Sequence, residues 1–151
     1  MSQKVIAEQV QQFCNRWQGM NMVYEDYARS VNVPYTTLQI LNFIVTEENC
    51  TQKTICERTF LPKQTVNSVI TGFYKKGLVV LKELPADRRT KTIHLTGEGQ
   101  KFADGIIPQI RKAEYNAMER LTPEQRENLL EGMRIYCKVF REAMLTDREK
   151  E

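Results

Sequence analysis

From Ile6 onward, large apolar residues recur at alternating steps of four and three: Ile6, Val10, Phe13, Trp17, Met20, Tyr24, Tyr27 and Val31. That spacing keeps them on one stripe, so the first thirty residues are predicted to form a single helix. A helix so long, starting at the chain end with aromatics on its stripe, has little of its own to pack against. Partner helices are its natural cover. Asn32-Val33-Pro34 interrupts the pattern, and Pro34 suits the first turn of a second helix, which carries Leu38, Leu41, Ile44 and Val45 and ends near Glu48-Asn49. Thr51 is placed to cap a short third helix running to about Thr59. Phe60-Leu61-Pro62 makes a turn, and a fourth helix follows from Pro62 to about Lys76, stopped by Gly77.

The period then changes. Leu78–Leu84 and Thr90–Thr96 are short, apolar and β-branched, which predicts a β-hairpin with a five-residue tip, Pro85 to Arg89. Thr96 is placed to cap a fifth helix containing Phe102, Ile106, Ile110 and Ala113, with a kink expected at Pro108. Thr122-Pro123-Glu124-Gln125 reads as a capping box, opening a last helix whose stripe is Leu129, Leu130, Met133, Tyr136, Cys137, Phe140 and Met144. A charged tail, 147–151, follows. The fold class is mainly α with a small β-hairpin.

Composition narrows the function. The chain has 151 residues, 41% hydrophobic and 27% charged, which is ordinary for a globular protein. No stretch approaches the ~18 apolar residues of a membrane span and the N-terminus has no apolar leader segment, so a cytoplasmic protein with no membrane partner is expected. Four cysteines without a C-x-x-C pair and one histidine, His94, do not supply a structural zinc set. No metal and no cofactor are expected. With one histidine, no Gly-rich phosphate loop and no Ser/His/Asp grouping, there is nothing from which to assemble a catalytic site, so no enzyme activity is expected.

Charge becomes informative once located. Between Thr51 and Lys91 nine basic residues face three acidic ones, a net of +6 within a chain whose total is +3. A basic middle between acidic ends marks a segment that meets phosphates. Helices three and four fit a helix-turn-helix, with Ile55, Leu61, Val66, Val69 and Ile70 locking the turn and Cys56 taking a position that wants a small residue. Lys63, Gln64, Thr65, Asn67, Ser68 and Thr71 fall largely on the other side of the fourth helix, and no acidic residue occurs from Leu61 to Leu81. Gln and Asn can pair with adenine and Thr can touch a thymine methyl, as a recognition helix requires. At the hairpin, Arg88 and Arg89 repel one another, a cost that a narrow, strongly negative minor groove would offset. Lys82 and Lys91 on the stems, and Lys53, are candidates for phosphate contacts. Asp87, being anionic, suits the positioning of an arginine.

The run Gly77-Leu78-Val79, then Asp87-Arg88-Arg89, then Leu95-Thr96 and Gly99, resembles the multiple-antibiotic-resistance regulator (MarR) family. The resemblance implies a winged helix-turn-helix over 32–100, with a helical dimerisation region formed by 1–31 and 101–151. It implies a homodimer that binds palindromic double-stranded promoter DNA, commonly as a repressor, with Arg89 entering the minor groove. It departs from the family pattern at Cys56 and at Phe60-Leu61-Pro62, where many relatives have a Ser-rich turn.

The same resemblance raises two regulatory options. Relatives often bind small phenolic or lipophilic effectors between the dimer helices and the DNA-binding lobe, where Trp17, Tyr24, Tyr27 and Phe43 could line a pocket; the alternative is that these residues form core and dimer interface. Some relatives sense peroxide through a cysteine in the first helix, as Cys14 would in a redox-sensing repressor; the alternative is packing. The competing functional class is a winged-helix module that binds protein without specific DNA binding. Such modules usually lose the basic wing.

Overall fold

The helix from Tyr35 to Thr46 (α2) carries apolar residues on two adjoining stripes, Leu38 with Leu41 and Ile40 with Ile44, and all four are buried. A helix apolar over so wide an arc has to be enclosed. It packs against α1 (Gln3–Ser30), α3 (Gln52–Thr59), α4 (Lys63–Lys75), the strand β2 (Asp87–Leu95) and α5 (Gly97–Asp104). The strand β1 (Val79–Leu84) and the helices α6 (Ile107–Glu119) and α7 (Pro123–Arg148) complete the order. The chain is thus mainly α with one two-stranded antiparallel hairpin, as its hydrophobic pattern predicts. The computed structural model describes residues 2–148, with side chains to residue 145; Met1 and, within the charged tail, residues 149–151 lie outside the described residues. Two compact units are distinguished, Met1–Ile107 and Pro108–Glu151. No described helix is long and apolar enough to cross a membrane.

Local chemistry explains most boundaries. α1 ends where Asn32 turns left-handed (φ 58°) and the Val33 amide reaches back to the Ala28 carbonyl at 3.0 Å, a C-terminal cap that Asn tolerates better than most residues. α3 opens on a reciprocal capping box, in which Thr54 N–H donates to Thr51 Oγ1 (3.1 Å) and Thr51 N–H donates to Thr54 Oγ1 (2.9 Å). α4 closes on Gly77, whose φ of +69° is a conformation glycine adopts at little cost. In the second unit, α7 opens on the predicted box: Gln125 N–H donates to Thr122 Oγ1 and Thr122 N–H to Gln125 Oε1.

Three expectations need correction. Pro34 and Pro62 stand one residue ahead of their helices as N-caps, with ψ near +145° (147° and 143°); their carbonyls still accept the first helical bonds, from Leu38 and Val66. The fifth helix is two helices. Pro108 has no N–H to continue the ladder of α5, and instead of kinking that helix it lies in the first turn of α6, after a break at Gly105-Ile106. Tyr27 Oη donates to the Ile106 carbonyl exposed by the break, at 2.6 Å. The hairpin tip is two residues, Pro85-Ala86, and Asp87, Arg88 and Arg89 belong to β2.

Candidate nucleic-acid interface

The helix-turn-helix is locked from within. Ile55 of α3 and Val66 and Ile70 of α4 are essentially fully buried, each contributing roughly 1.5–3 kcal/mol by burial; Leu61 and Val69 are half-buried beside them, as is Cys56. On α4, Lys63, Gln64, Asn67, Ser68 and Thr71 are exposed and Thr65 is half-buried. At 100° per residue, Gln64, Ser68, Thr71 and also Lys75 share one outer stripe opposite Val66, Ile70 and Phe73. Lys63 and Asn67 flank that stripe on one side and Thr65 on the other. A concavity of about 810 Å³ runs along the Thr65 flank. Its lining brings Gln64, Thr65 and Ser68 together with Thr36 and Thr37 of α2 and with Lys76. Periodicity had not assigned Thr36, Thr37, Lys75 or Lys76 to the site, although the 71–75 step is a readable helical repeat.

The wing is anchored at its base by the residues of the Gly-Leu-Val and Leu-Thr runs. Thr96 Oγ1 donates to the Gly77 carbonyl (2.6 Å), Thr96 N–H to the Leu78 carbonyl (3.0 Å), and Gly99 N–H to Thr96 Oγ1 (3.0 Å). Gly99 must be glycine: an added Cβ would lie 1.8 Å from the Leu78 carbonyl oxygen. The chain ahead of α3 lies along the outer edge of β2, through Ile93 N–H to the Cys50 carbonyl (2.8 Å) and a bridge between Thr51 and Thr92. The wing and the helix-turn-helix therefore share one frame.

At the tip the register breaks. Glu83 pairs with Lys91 but Leu84 pairs with Asp87, so Arg88, Arg89 and Thr90 have no residue opposite them. The bulge is held by the Asp87 carboxylate, which accepts from the Arg89 backbone N–H (3.0 Å) and from Thr90 Oγ1 (2.7 Å). Those two bonds, Thr90's foremost, hold the exposed Asp87 carboxyl below its ordinary pKa. Asp87 thus grips the main chain of Arg89. The guanidinium groups of Arg88 and Arg89 have no hydrogen bond or ion pair with the described residues.

The register also separates the stem lysines. Lys82 is opposite Thr92 and Lys91 is opposite Glu83, on successive rungs, so the two lysines project from opposite faces of the hairpin. Lys91 joins Arg89, Thr90, Gln52 and Lys53 around a concavity of about 270 Å³ between the wing and the start of α3; Lys82 does not. Lys53 carries a loose, exposed ion pair with Glu57 (3.9 Å), too weak to withhold its charge. His94 contacts Thr92 Oγ1 through Nε2 (2.8 Å) inside the sheet.

Three of the four aromatic residues singled out in sequence make specific contacts, and Trp17 stays 45% exposed. Trp17 stacks on Phe13, Tyr24 stacks on Tyr35, and Tyr27 bonds the Ile106 carbonyl; Phe43 is half-buried. None of the four lines either concavity described above. Of the cysteines, Cys50 is buried and its thiol is pushed up to about 11, chiefly by desolvation; Cys14 and Cys56 are half-buried and Cys137 is exposed. Among the described residues no group of three or more His, Cys, Asp or Glu is placed to hold a metal ion.

The sequence model of the MarR family matches residues 31–90, from the end of α1 through the wing tip. A curated protein, the transcriptional regulator HosA of Escherichia coli O111:H-, is 25% identical over 95 residues, 63% of this chain and 70% of its own. Among solved structures, a MarR family regulator from Neisseria meningitidis is similar in fold with a TM-score of 0.79 at 23% identity, covering 92% of this chain and 98% of its own. The MepR–DNA complex of Staphylococcus aureus aligns with a TM-score of 0.70 at 16% identity, over 85% and 94% of the two chains. Staphylococcus aureus MarR, in complex with salicylate and kanamycin, aligns at 0.69 and 16%, over 93% and 95%. Residues 31–90 are thus similar in sequence to the MarR family, and the fold that surrounds them is similar to that of solved MarR regulators.

Proposed function

We propose that this protein is a DNA-binding transcriptional regulator, acting as a homodimer on palindromic promoter DNA and repressing by occupancy. The observation that carries this reading is a juxtaposition within one unit. An acid-free polar face on α4 stands on the same frame as a bulge that presents two unpaired arginines. The outer stripe of α4, with Lys63 and Asn67, would read base edges in the major groove. Arg89 would enter the minor groove, and Arg88, Lys53 and Lys91 would neutralise phosphates. Lys82 would serve a different stretch of backbone, since it projects from the other face. MepR, of similar fold, has been crystallised on DNA.

Two copies are needed to span a palindrome. Val5, Ile6, Val10, Trp17 and Met20 of α1 are each at least 40% exposed, as are Leu129, Leu130, Val139, Phe140 and Met144 of α7. Apolar stripes of that length are normally covered, and a second copy would cover them. The terminal helical regions would then set two recognition helices ~34 Å apart. Release by a small phenolic or lipophilic molecule, with Trp17, Tyr24, Tyr27 and Phe43 as the candidate lining, is the accompanying reading, supported by the salicylate complex of the Staphylococcus aureus protein of similar fold.

Gel-shift titration against genomic fragments tests the proposal. At low salt, where phosphate attraction is greatest, promoter fragments should be retained. Arg89→Ala should weaken binding to all fragments, while Gln64→Ala and Asn67→Ala should relax preference among sequences. Retention of no fragment would refute DNA binding, and equal loss on specific and random DNA for all three variants would refute the assigned roles.

A further inference from the structure

The concavity of about 810 Å³ beside α4 is lined on the α4 side by Gln64, Thr65 and Ser68, with Lys76 at the C-cap, and on the α2 side by Thr36 and Thr37. None of these side chains has a hydrogen bond or ion pair with the described residues. Other helical hydroxyls of this chain turn back on their own helix. Ser30 Oγ donates to the Tyr27 carbonyl (2.7 Å), Thr46 Oγ1 to that of Asn42 (3.0 Å) and Thr59 Oγ1 to that of Ile55 (2.6 Å). Around the concavity the donors stay available to an acceptor outside the chain. Thr36, Thr37 and Thr65 are also half-buried, where a hydroxyl without a partner costs more than one in open water.

Charge says what the acceptor is. No carboxylate lines the concavity, and Lys76 is the one charged residue of its lining. The first turns of α2 and α4 hold no acidic residue, although the helix dipole favours one there. Neutral donors with a cation suit an anion, and their layout decides its size. From Gln64 to Lys76 α4 rises about 18 Å at ~1.5 Å per residue, so the donors are strung along a trough and do not converge on a point as a small anion requires. DNA backbone is a linear anion, with a charge every ~3.4 Å of axis per strand. A helix ~10–12 Å across, lying in a major groove ~12 Å wide, has such a backbone on either side. We propose that the concavity holds the sugar–phosphate backbone bordering the major groove, with the Thr36 and Thr37 hydroxyls donating to phosphate oxygens and Lys76 neutralising a phosphate. This rests on the DNA-binding function proposed above and adds the start of α2 to the interface.

The test uses the full chain and a duplex selected by the wild-type protein from random-sequence DNA, resynthesised with an uncharged methylphosphonate replacing one phosphate at a time. Wild type should lose affinity at a short run of phosphates. Lys76→Gln should bind the unmodified duplex about eightfold less tightly at about 0.1 M salt, the value of one released counterion, with a salt slope shallower by about one. It should be indifferent to a methylphosphonate that penalises wild type, and Lys76→Arg should restore the slope. Thr36→Val with Thr37→Val should cost about tenfold at unchanged slope, because neutral donors release no counterions. Wild-type affinity and slope in both sets of variants would overturn the proposal. So would weaker binding with every methylphosphonate penalty intact, the mark of a merely structural role. Inorganic phosphate that raised the Tm of wild type and not of Lys76→Gln would assign the concavity to a free anion and overturn it too. Failure of wild type to select any duplex would instead overturn DNA binding itself, and this contact with it.

Discussion

Gly99→Ala isolates the clasp at the base of the wing. The new methyl carbon would lie 1.8 Å from the Leu78 carbonyl oxygen and 2.8 Å from its carbon. Both are backbone atoms, so no side-chain rotation relieves the clash, and the two segments must part by more than 1 Å. The Leu78 carbonyl that has to move also accepts from Thr96 N–H, and Thr96 Oγ1 ties the adjacent Gly77 carbonyl. Two hydrogen bonds at about 1 kcal/mol each, added to about 1–3 kcal/mol for overpacking, give a loss of about 3–5 kcal/mol. For a chain of this size that is roughly 6–20 °C in Tm. Urea unfolding followed by circular dichroism should show a lower midpoint at unchanged slope. A change smaller than about 0.5 kcal/mol, in the range of ordinary surface substitutions, would refute the close approach of α5 to Leu78.

Other consequences follow from particular contacts. Asp87 should titrate below its ordinary 3.8. Because its folded value is depressed, the order it gives the bulge is present above the unfolded value and is lost as pH falls through the folded one; Thr90→Val should raise the NMR titration midpoint, and an unmoved midpoint would contradict the hydroxyl contact. Cys50, raised from 9.0 to about 11, favours the folded state while neutral, so stability should be intact below pH 9 and decline between pH 9 and 11, a decline that Cys50→Ala should abolish. A thiol reagent at neutral pH should label Cys137 well before Cys50, and equal rates would contradict the burial of Cys50. Phe140→Glu, placing a charge on the exposed stripe of α7, should shift sedimentation from dimer to monomer and weaken operator binding by at least about tenfold through lost bivalency; a persistent dimer would remove α7 from the interface.

Apart from the break between α5 and α6, element order is legible because it is written in local signals: the 3–4 stripe of α1, the threonine caps of α3 and α7, and Gly77 after α4. What escaped depends on pairing partners or on competition between neighbours. The tip reads as five loose residues because charged, turn-forming side chains resemble a loop; only the pairing of Leu84 with Asp87 shows that they are a bulge on a strand. Lys82 and Lys91 look equivalent on their stems until register assigns them to opposite faces. The aromatic residues of α1 look alike in sequence, yet Tyr27 bonds the Ile106 carbonyl and Tyr24 stacks on Tyr35, while Trp17 stacks on Phe13 and stays exposed. Proline was misjudged for a related reason, since its fixed φ is equally compatible with the position just outside a helix and the first one inside.

The bulge changes the meaning of the Asp-Arg-Arg triplet. Had Asp87 paired with an arginine side chain, the ion pair would have withheld a charge from any approaching anion, and binding would first require breaking it. Instead the carboxylate bonds a main-chain N–H and a threonine hydroxyl, so it fixes where the Arg89 backbone sits and leaves the guanidinium uncommitted. A conformation held by neutral donors does not compete with phosphate, and salt, which screens long-range attraction to DNA, acts on the arginines while leaving the two short bonds of the bulge in place. On this geometry Asp87→Asn, which keeps one acceptor oxygen, should retain more DNA affinity than Asp87→Ala, and the gap between them should persist from low to high salt. A gap that closed with salt would mean that Asp87 acts on the arginine charges after all.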